Sequence, residues 1–308
     1  MNIFISDENF FSSKRKYRIF LFLFSVLIFP CNFSCKQQKV EINTENYVEA
    51  ARIVTREKQK AIADSLARLN PKKKIYLTFD DGPNKGTGNV LKTVKEEKIP
   101  ASFFVVGKHV FDSPSQGKTF QELKSDSTVE ICNHSYTHAY NHYSKYYDNP
   151  EDVVKDFQRN KEVLSLISQV SRMPGRNAWR IDTVIHTDIQ SSKPAIDSVH
   201  NAGFMVMGWD IEWIFDHKTL EPSPDTDLLL RQIQNMLEAS TTKTPGHLVL
   251  LAHDQSFRNE ADIEKLRYFI QQLKNNPDYE LLLASNYPGV IKTKVITSTV
   301  TEIPANKQ

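Results

Sequence analysis

Apolar and polar positions change rhythm several times along this 308-residue chain. From Ile19 to Pro30 the run "IFLFLFSVLIFP" is almost wholly apolar and follows a basic cluster of Lys14, Arg15, Lys16 and Arg18. It is too short for a bilayer-spanning helix, which needs about 20 residues. A basic stretch ahead of a short apolar core is the pattern of an export signal, with an N-terminal membrane anchor as the alternative. Glu41–Asn70 is charged, with a thin apolar series at Val48, Ile53, Ile62, Leu66 and Leu69, and reads as a spacer helix ended by Pro71 and the lysines after it. From Ile75 two rhythms alternate. Short apolar runs predict strands at 75–79, 101–107, 129–133, 204–209, 248–253 and 279–284. Amphipathic stretches between them predict helices over 87–98, 149–167, 193–203, 225–240 and 262–276. Asn149-Pro150-Glu151-Asp152 is a helix start, and Asn201-Ala202-Gly203 is a helix stop. The alternation predicts an α/β fold with a parallel sheet, open or closed into a barrel.

In a barrel, chemistry gathers at the C-terminal ends of the strands. Asp80 and Asp81 follow the first predicted strand, His134 the third and Asp210 the fourth, and His253 ends the fifth. The pattern therefore predicts one shared site.

Composition narrows the picture. The chain is 40% hydrophobic and 25% charged with a net charge of +2, so it is globular with no bulk attraction to nucleic acid. Its three cysteines are Cys31, Cys35 and Cys132, which leaves no disulfide framework for the folded part. "NFSCKQQ" resembles a bacterial lipoprotein cleavage site, with Ser34 before Cys35. An acylated Cys35 would tether the protein to a membrane without spanning it. The expected organisation is a lipoprotein-type signal peptide at 1–35, a charged helical spacer at 36–71, one folded domain at 72–292 and a polar tail at 293–308. The expected location is the periplasm or cell envelope.

In "NHSYTHAY" His134 and His138 stand four apart. On a helical turn the two imidazoles share a face and can share a metal, although the same spacing fits two surface histidines. "TFDDGP" ends in Asp80 and Asp81, which alone fit a turn. With the histidines they fit more: two His and one carboxylate leave open metal positions for water, and a second carboxylate can take that water's proton. His253 in "LLAHD" fits a satisfied core residue or an acid for a leaving group. An arginine of "SRMPGR" could pair with a carboxylate, and the tryptophans of "GWDIEW" fit either a core or a sugar platform.

Taken in order, TFDDGP (78–83), HSxxH (134–138), RxP (172–174), DxEW (210–213) and LLAHD (250–254) resemble the polysaccharide deacetylases, the NodB-homology group of family 4 carbohydrate esterases. The resemblance implies a single catalytic domain folded as a distorted (β/α) barrel, with one divalent metal, usually zinc. It implies hydrolysis of acetyl groups, N-acetyl ahead of O-acetyl, from a polysaccharide such as peptidoglycan. It casts Asp80 as general base, Asp81, His134 and His138 as metal ligands, and Arg172 as the group that holds Asp80. His253 becomes the general acid, tuned by Asp210, while Trp213 and Leu251 line the acetyl-methyl pocket. Two departures stand out. Gly175 occupies the position of an aromatic residue whose backbone N–H assists the oxyanion, so the groove is expected to lose a wall. The stretches 176–192 and 214–225 are long and are expected as loops at the site's mouth. The rival readings are an inactive deacetylase-like glycan binder, an O-acetyl xylan or polysaccharide esterase, and a non-haem iron enzyme, since two His and a carboxylate also suit iron.

Overall fold

The computed structural model describes residues 44–69 and 71–291. The expected signal peptide, Cys35 and the expected polar tail lie outside them. The chain divides into two units, 1–59 and 60–308. Helix α1 (Thr44–Leu69) is exposed from Val48 to Ile62. No described helix is long and apolar enough to cross a membrane.

In chain order there follow β1 (Lys73–Gly82), α2 (Thr87–Glu97), β2 (Ala101–Val105), α3 (Gly107–Val110), α4 (Pro114–Ser125) and β3 (Val129–Asn133). Next come α5 (Tyr143–Tyr147), α6 (Pro150–Leu164), β4 (Val170–Ser171), the pair β5 (Ala178–Ile181) and β6 (Val184–Thr187), and α7 (Lys193–Asn201). The last are β7 (Met205–Val206), β8 (Ile211–Phe215), β9 (Pro222–Ser223), α8 (Thr226–Glu238), β10 (His247–His253), α9 (Glu260–Asn275) and β11 (Tyr279–Leu282). Capping side chains fix the helix starts. Asp225 Oδ1 accepts from Leu228 N at 3.1 Å, and Asn259 Oδ1 from Asp262 N at 3.0 Å.

The strands form one path, β6-β5-β7-β4-β3-β2-β1-β10-β8-β9. β1 is flanked by β10 on one edge; its other edge is shared, with β11 pairing Lys73–Tyr76 and β2 pairing from Thr78. The end strands β6 and β9 are not joined, so the sheet is an open, distorted barrel. Alternation along each strand divides the core into two layers. Ile75, Leu77 and Phe79 of β1 and Leu248, Leu250 and Ala252 of β10 pack outward against Val90 and Val94 of α2 and Leu266 and Phe269 of α9. Tyr76, Phe104, Cys132, Val170 and Val249 fill the barrel interior. Each large apolar side chain so buried stabilises the fold by about 1.5–3 kcal/mol.

The long stretches are not plain loops. β5 and β6 form an antiparallel hairpin with Trp179 opposite His186, and Ala178, Trp179 and Ile181 are buried. β8 and β9 pair through Ile214 and Ser223. The strand expected at 204–209 shrinks to Met205–Val206, and Ile211–Phe215 becomes the neighbour of β10. Helix α4 has no sequence counterpart above, because its buried stripe is only Phe120 and Leu123.

Candidate active site

The inward parity of β1 runs Tyr76, Thr78, Asp80. Arg172, just after β4 and fully buried, meets it from across the barrel. Its Nη1 donates to Thr78 Oγ1 at 2.9 Å and to Asp80 Oδ1 at 2.7 Å. Its Nε and Nη2 donate to the carbonyls of Met207 (3.1 Å) and Gly208 (2.8 Å). A buried charge is tolerated when paired and hydrogen-bonded in this way. Asp80 is thereby held by Oδ1, and its Oδ2 lies 3.6 Å from His134 Nε2.

Asp81 would point away from the barrel if β1 stayed regular. Instead the pairing with β2 slips between Asp80 and Gly82, and Asp81 takes a φ of 72°. The bulge turns its carboxylate towards the two histidines. His134 continues the inward parity of β3. Its Nδ1 is 2.9 Å from the Arg172 carbonyl, an acceptor, so Nδ1 carries the proton and Nε2 is left as a free donor of electrons. Nε2 of His134 lies 3.4 Å and Nε2 of His138 3.1 Å from Asp81 Oδ1.

Asp81, His134 and His138 each offer one ligand atom, all within 4.8 Å of one another. Asp81 Oδ1 is buried and completes no hydrogen bond with protein. Burial pushes the Asp81 carboxyl up, but the neighbouring His134 and His138 outweigh it and hold it well below the usual range. Burial pushes the His138 imidazole down, and Asp81 more than reverses this, so the net direction is upward. Two imidazole nitrogens and one ionised carboxylate, whose Oδ1 is the orphaned oxygen, suit a divalent metal ion. The histidines do not share a helical turn as the spacing predicted. Ser135, His138, Ala139, Tyr140 and Asn141 all have positive φ, so His138 sits on a left-handed turn, and the rings meet at a centroid distance of 5.0 Å. Such a conformation costs about 1–2 kcal/mol per residue.

His253 continues the inward parity of β10. Its Nε2 is 3.9 Å from Asp81 Oδ2, and its Nδ1, buried without a hydrogen bond, is 3.9 Å from Glu212 Oε1. The expected pairing of Asp210 with His253 is not what the structure has. Asp210 accepts from Lys243 N at 2.7 Å and Val249 N at 2.8 Å, which spends its carboxylate on backbone. Glu212 is opposite Leu251 in the β8–β10 register, and both face inward. Burial pushes the Glu212 carboxyl up, against an opposing pull from His253. Trp213 is likewise corrected. One residue on from Glu212, it faces the helix layer, packs on Phe257 and Phe269, and is absent from the cleft. Strand parity and cross-strand register together could have found Glu212.

The cleft has a volume of about 560 Å³ and is bordered by Tyr143, Gly175, Trp209, Phe215, His217 and Leu251 as well as by the polar cluster. The wall expected to be missing at Gly175 is present by another route. Gly175 has a φ of 61°, and a Cβ there would lie 3.0 Å from the Tyr143 ring, which fills the space. Arg176 braces this corner: its Nε donates to Ser192 Oγ at 2.7 Å and its guanidinium lies 4.8 Å from the centre of the Tyr147 ring. A second cleft of about 430 Å³ adjoins on the far side of His138, lined by Asn84, Lys108, His109 and Tyr140.

Residues 67–176 match the polysaccharide deacetylase family model. The chain is 30% identical over 145 residues to a chitooligosaccharide deacetylase of Rhizobium leguminosarum bv. trifolii, a match that spans 42% of this chain and 64% of that protein. It is 27% identical over 248 residues, 76% of each chain, to a peptidoglycan-N-acetylglucosamine deacetylase of Bacillus cereus. Its fold is similar to that of the catalytic domain of a peptidoglycan N-acetylglucosamine deacetylase from Eubacterium rectale, with a TM-score of 0.52 at 21% identity over 70% of this chain and 91% of that one.

Proposed function

We infer that this chain, which belongs to the polysaccharide deacetylase family through the matched segment 67–176, hydrolyses acetyl groups on a glycan, N-acetyl ahead of O-acetyl. The observation that carries this reading is the division of labour between adjacent aspartates. Asp80 is held by Arg172, while Asp81 is turned onto His134 and His138. Asp81, His134 and His138 would hold one divalent ion, zinc by its donor set, which when bound polarises a carbonyl and makes a water more acidic.

The chain's own groups supply the proton traffic. Asp80, fixed at Oδ1 by Arg172, receives the attacking water's proton at Oδ2. Gly175 borders the cleft, and its N–H would serve as a donor for the developing oxyanion. His253 gives a proton from Nε2 to the leaving amine, with Glu212 on the Nδ1 side to orient the ring. Leu251 meets the acetyl methyl. Acetate and a free amine result.

The family relatives' names favour chitooligosaccharide or peptidoglycan amides as substrates. Acetate release from chitooligosaccharides, peptidoglycan fragments and acetylated xylan, with and without chelator, tests the reading. Chelator-sensitive release from the amide substrates is expected, and no release from any of them would refute it. We also place the protein at the cell envelope, anchored through Cys35, on the pattern of residues 14–38. Cys35→Ala should then move it from the membrane fraction to the soluble one, and an unchanged distribution would refute the anchor.

A further inference from the structure

The turn that carries His138 is strained and thinly supported. Four consecutive residues, His138, Ala139, Tyr140 and Asn141, have φ of 52, 56, 47 and 59°, and none is glycine. L-residues crowd their own carbonyls there, and such a run persists only where its surroundings over-determine it. Within residues 138–142 the supporting hydrogen bonds are local. His138 N donates to Ser135 Oγ (3.0 Å), Tyr140 N to the Thr137 carbonyl (3.1 Å) and His142 N to the Ala139 carbonyl (2.9 Å). His138 Nδ1 lies 3.3 Å from Asn141 Oδ1, and the Tyr143 hydroxyl donates to the same oxygen at 3.4 Å. Of the four residues only Ala139 is buried, and Tyr140 is 61% exposed. Thr137, at the head of the turn, is held to Asp156 of α6 through its N–H (3.2 Å) and its hydroxyl (2.9 Å); beyond it, among the described residues, the polar contact that ties residues 138–141 to the barrel is His138 Nε2 to Asp81 Oδ1, at 3.1 Å.

We propose that this left-handed turn is a latch closed by the metal ion: ligation of His138 offsets the strain of residues 138–141, and loss of the ion lets the turn relax. The proposal rests on the assignment of Asp81, His134 and His138 as ligands. It has a consequence for substrate. His138 and Asn141 border both clefts, and Tyr140 borders the second. Relaxation of the turn removes one side of each. The glycan site is then complete only in the loaded protein, which makes binding ordered, metal first and glycan second. The metal-binding state is also reached at an energetic disadvantage, which lowers the apparent affinity.

A pair of substitutions at the exposed position separates backbone strain from the side chain. Tyr140→Gly and Tyr140→Ala both remove the ring, but only glycine adopts a positive φ without strain. In the full chain, zinc affinity measured by chelator competition is expected to be about five- to thirtyfold tighter for Tyr140→Gly than for Tyr140→Ala. In the unaltered chain, amide hydrogen exchange over residues 138–142 is expected to slow at least about tenfold on addition of zinc, with β2 as the internal reference. Equal zinc affinities of the two variants, or exchange at 138–142 indifferent to zinc, overturns the latch and leaves the ligand assignment standing. A wild-type chain that takes up no zinc sinks the assignment itself, and the latch with it.

Discussion

Asp80 and Asp81 are neighbours in sequence with different partners, and each has its own prediction. Asp80→Asn keeps the size and the Arg172 contact but loses the proton acceptor. It should lower acetate release by about 10²- to 10⁴-fold with bound zinc near the wild-type amount, as read by metal analysis of the purified variant. His134→Ala should lose both zinc and activity. Asp210, just before β8, and Glu212, within it, make a second contrast. Glu212→Gln should slow turnover by about ten- to a hundredfold while the melting temperature hardly moves, because Glu212 acts on His253. Asp210→Asn should do the reverse and destabilise by about 1–3 kcal/mol, because Asp210 holds two backbone N–H groups. If Asp210→Asn is as inactive as Glu212→Gln at unchanged stability, the structural assignment of the two is wrong.

Among the elements, β10 and the loop after β1 are tied together by Asp254. Its fully buried carboxyl accepts from the Thr87 hydroxyl and the Asn84 amide. Burial pushes this carboxyl up to about 8, with the hydrogen bonds to Thr87 and Asn84 opposing. The unfolded chain loses the same proton near pH 3.9, so between those values the folded state holds a proton that the unfolded state has released. Stability contributed by this group is therefore greatest at low pH and is lost as pH rises towards 8, at up to about 1.4 kcal/mol per pH unit. Denaturant unfolding at several pH values should show a smaller fall for Asp254→Asn than for wild type, and parallel curves would remove Asp254 from the account. Trp213 offers a test of packing. Buried between Phe257 and Phe269, it should cost about 3–5 kcal/mol on replacement by Ala.

On the scale of the molecule, the site is a product of inward parity: Asp80, His134, Arg172, Glu212 and His253 come from different segments and meet because each faces the barrel interior. A ligand that binds only the folded form stabilises it, by about 2.7 kcal/mol at a hundred times its dissociation constant. Chelation should accordingly lower the melting temperature of the wild type and leave that of His134→Ala unchanged; equal shifts in both would argue against the site as the metal-binding one.

Periodicity alone was enough for the order of strands and helices over much of 75–284, and residue types alone marked Asp80, Asp81, His134, His138 and His253 as candidates. Both are local signals, carried by neighbours a few positions apart. The hairpins at β5–β6 and β8–β9 were less legible, because strands of two to five residues repeat too few times to set a rhythm. Other features depended on groups brought together by folding. The choice of Glu212 over Asp210 beside His253 follows from the pairing of β8 with β10, the turning of Asp81 from a slip against β2, and the filled space at Gly175 from Tyr143 of α5. Cross-strand register and backbone handedness are set by contacts between distant segments, and a linear pattern holds no record of them until the chain has closed on itself.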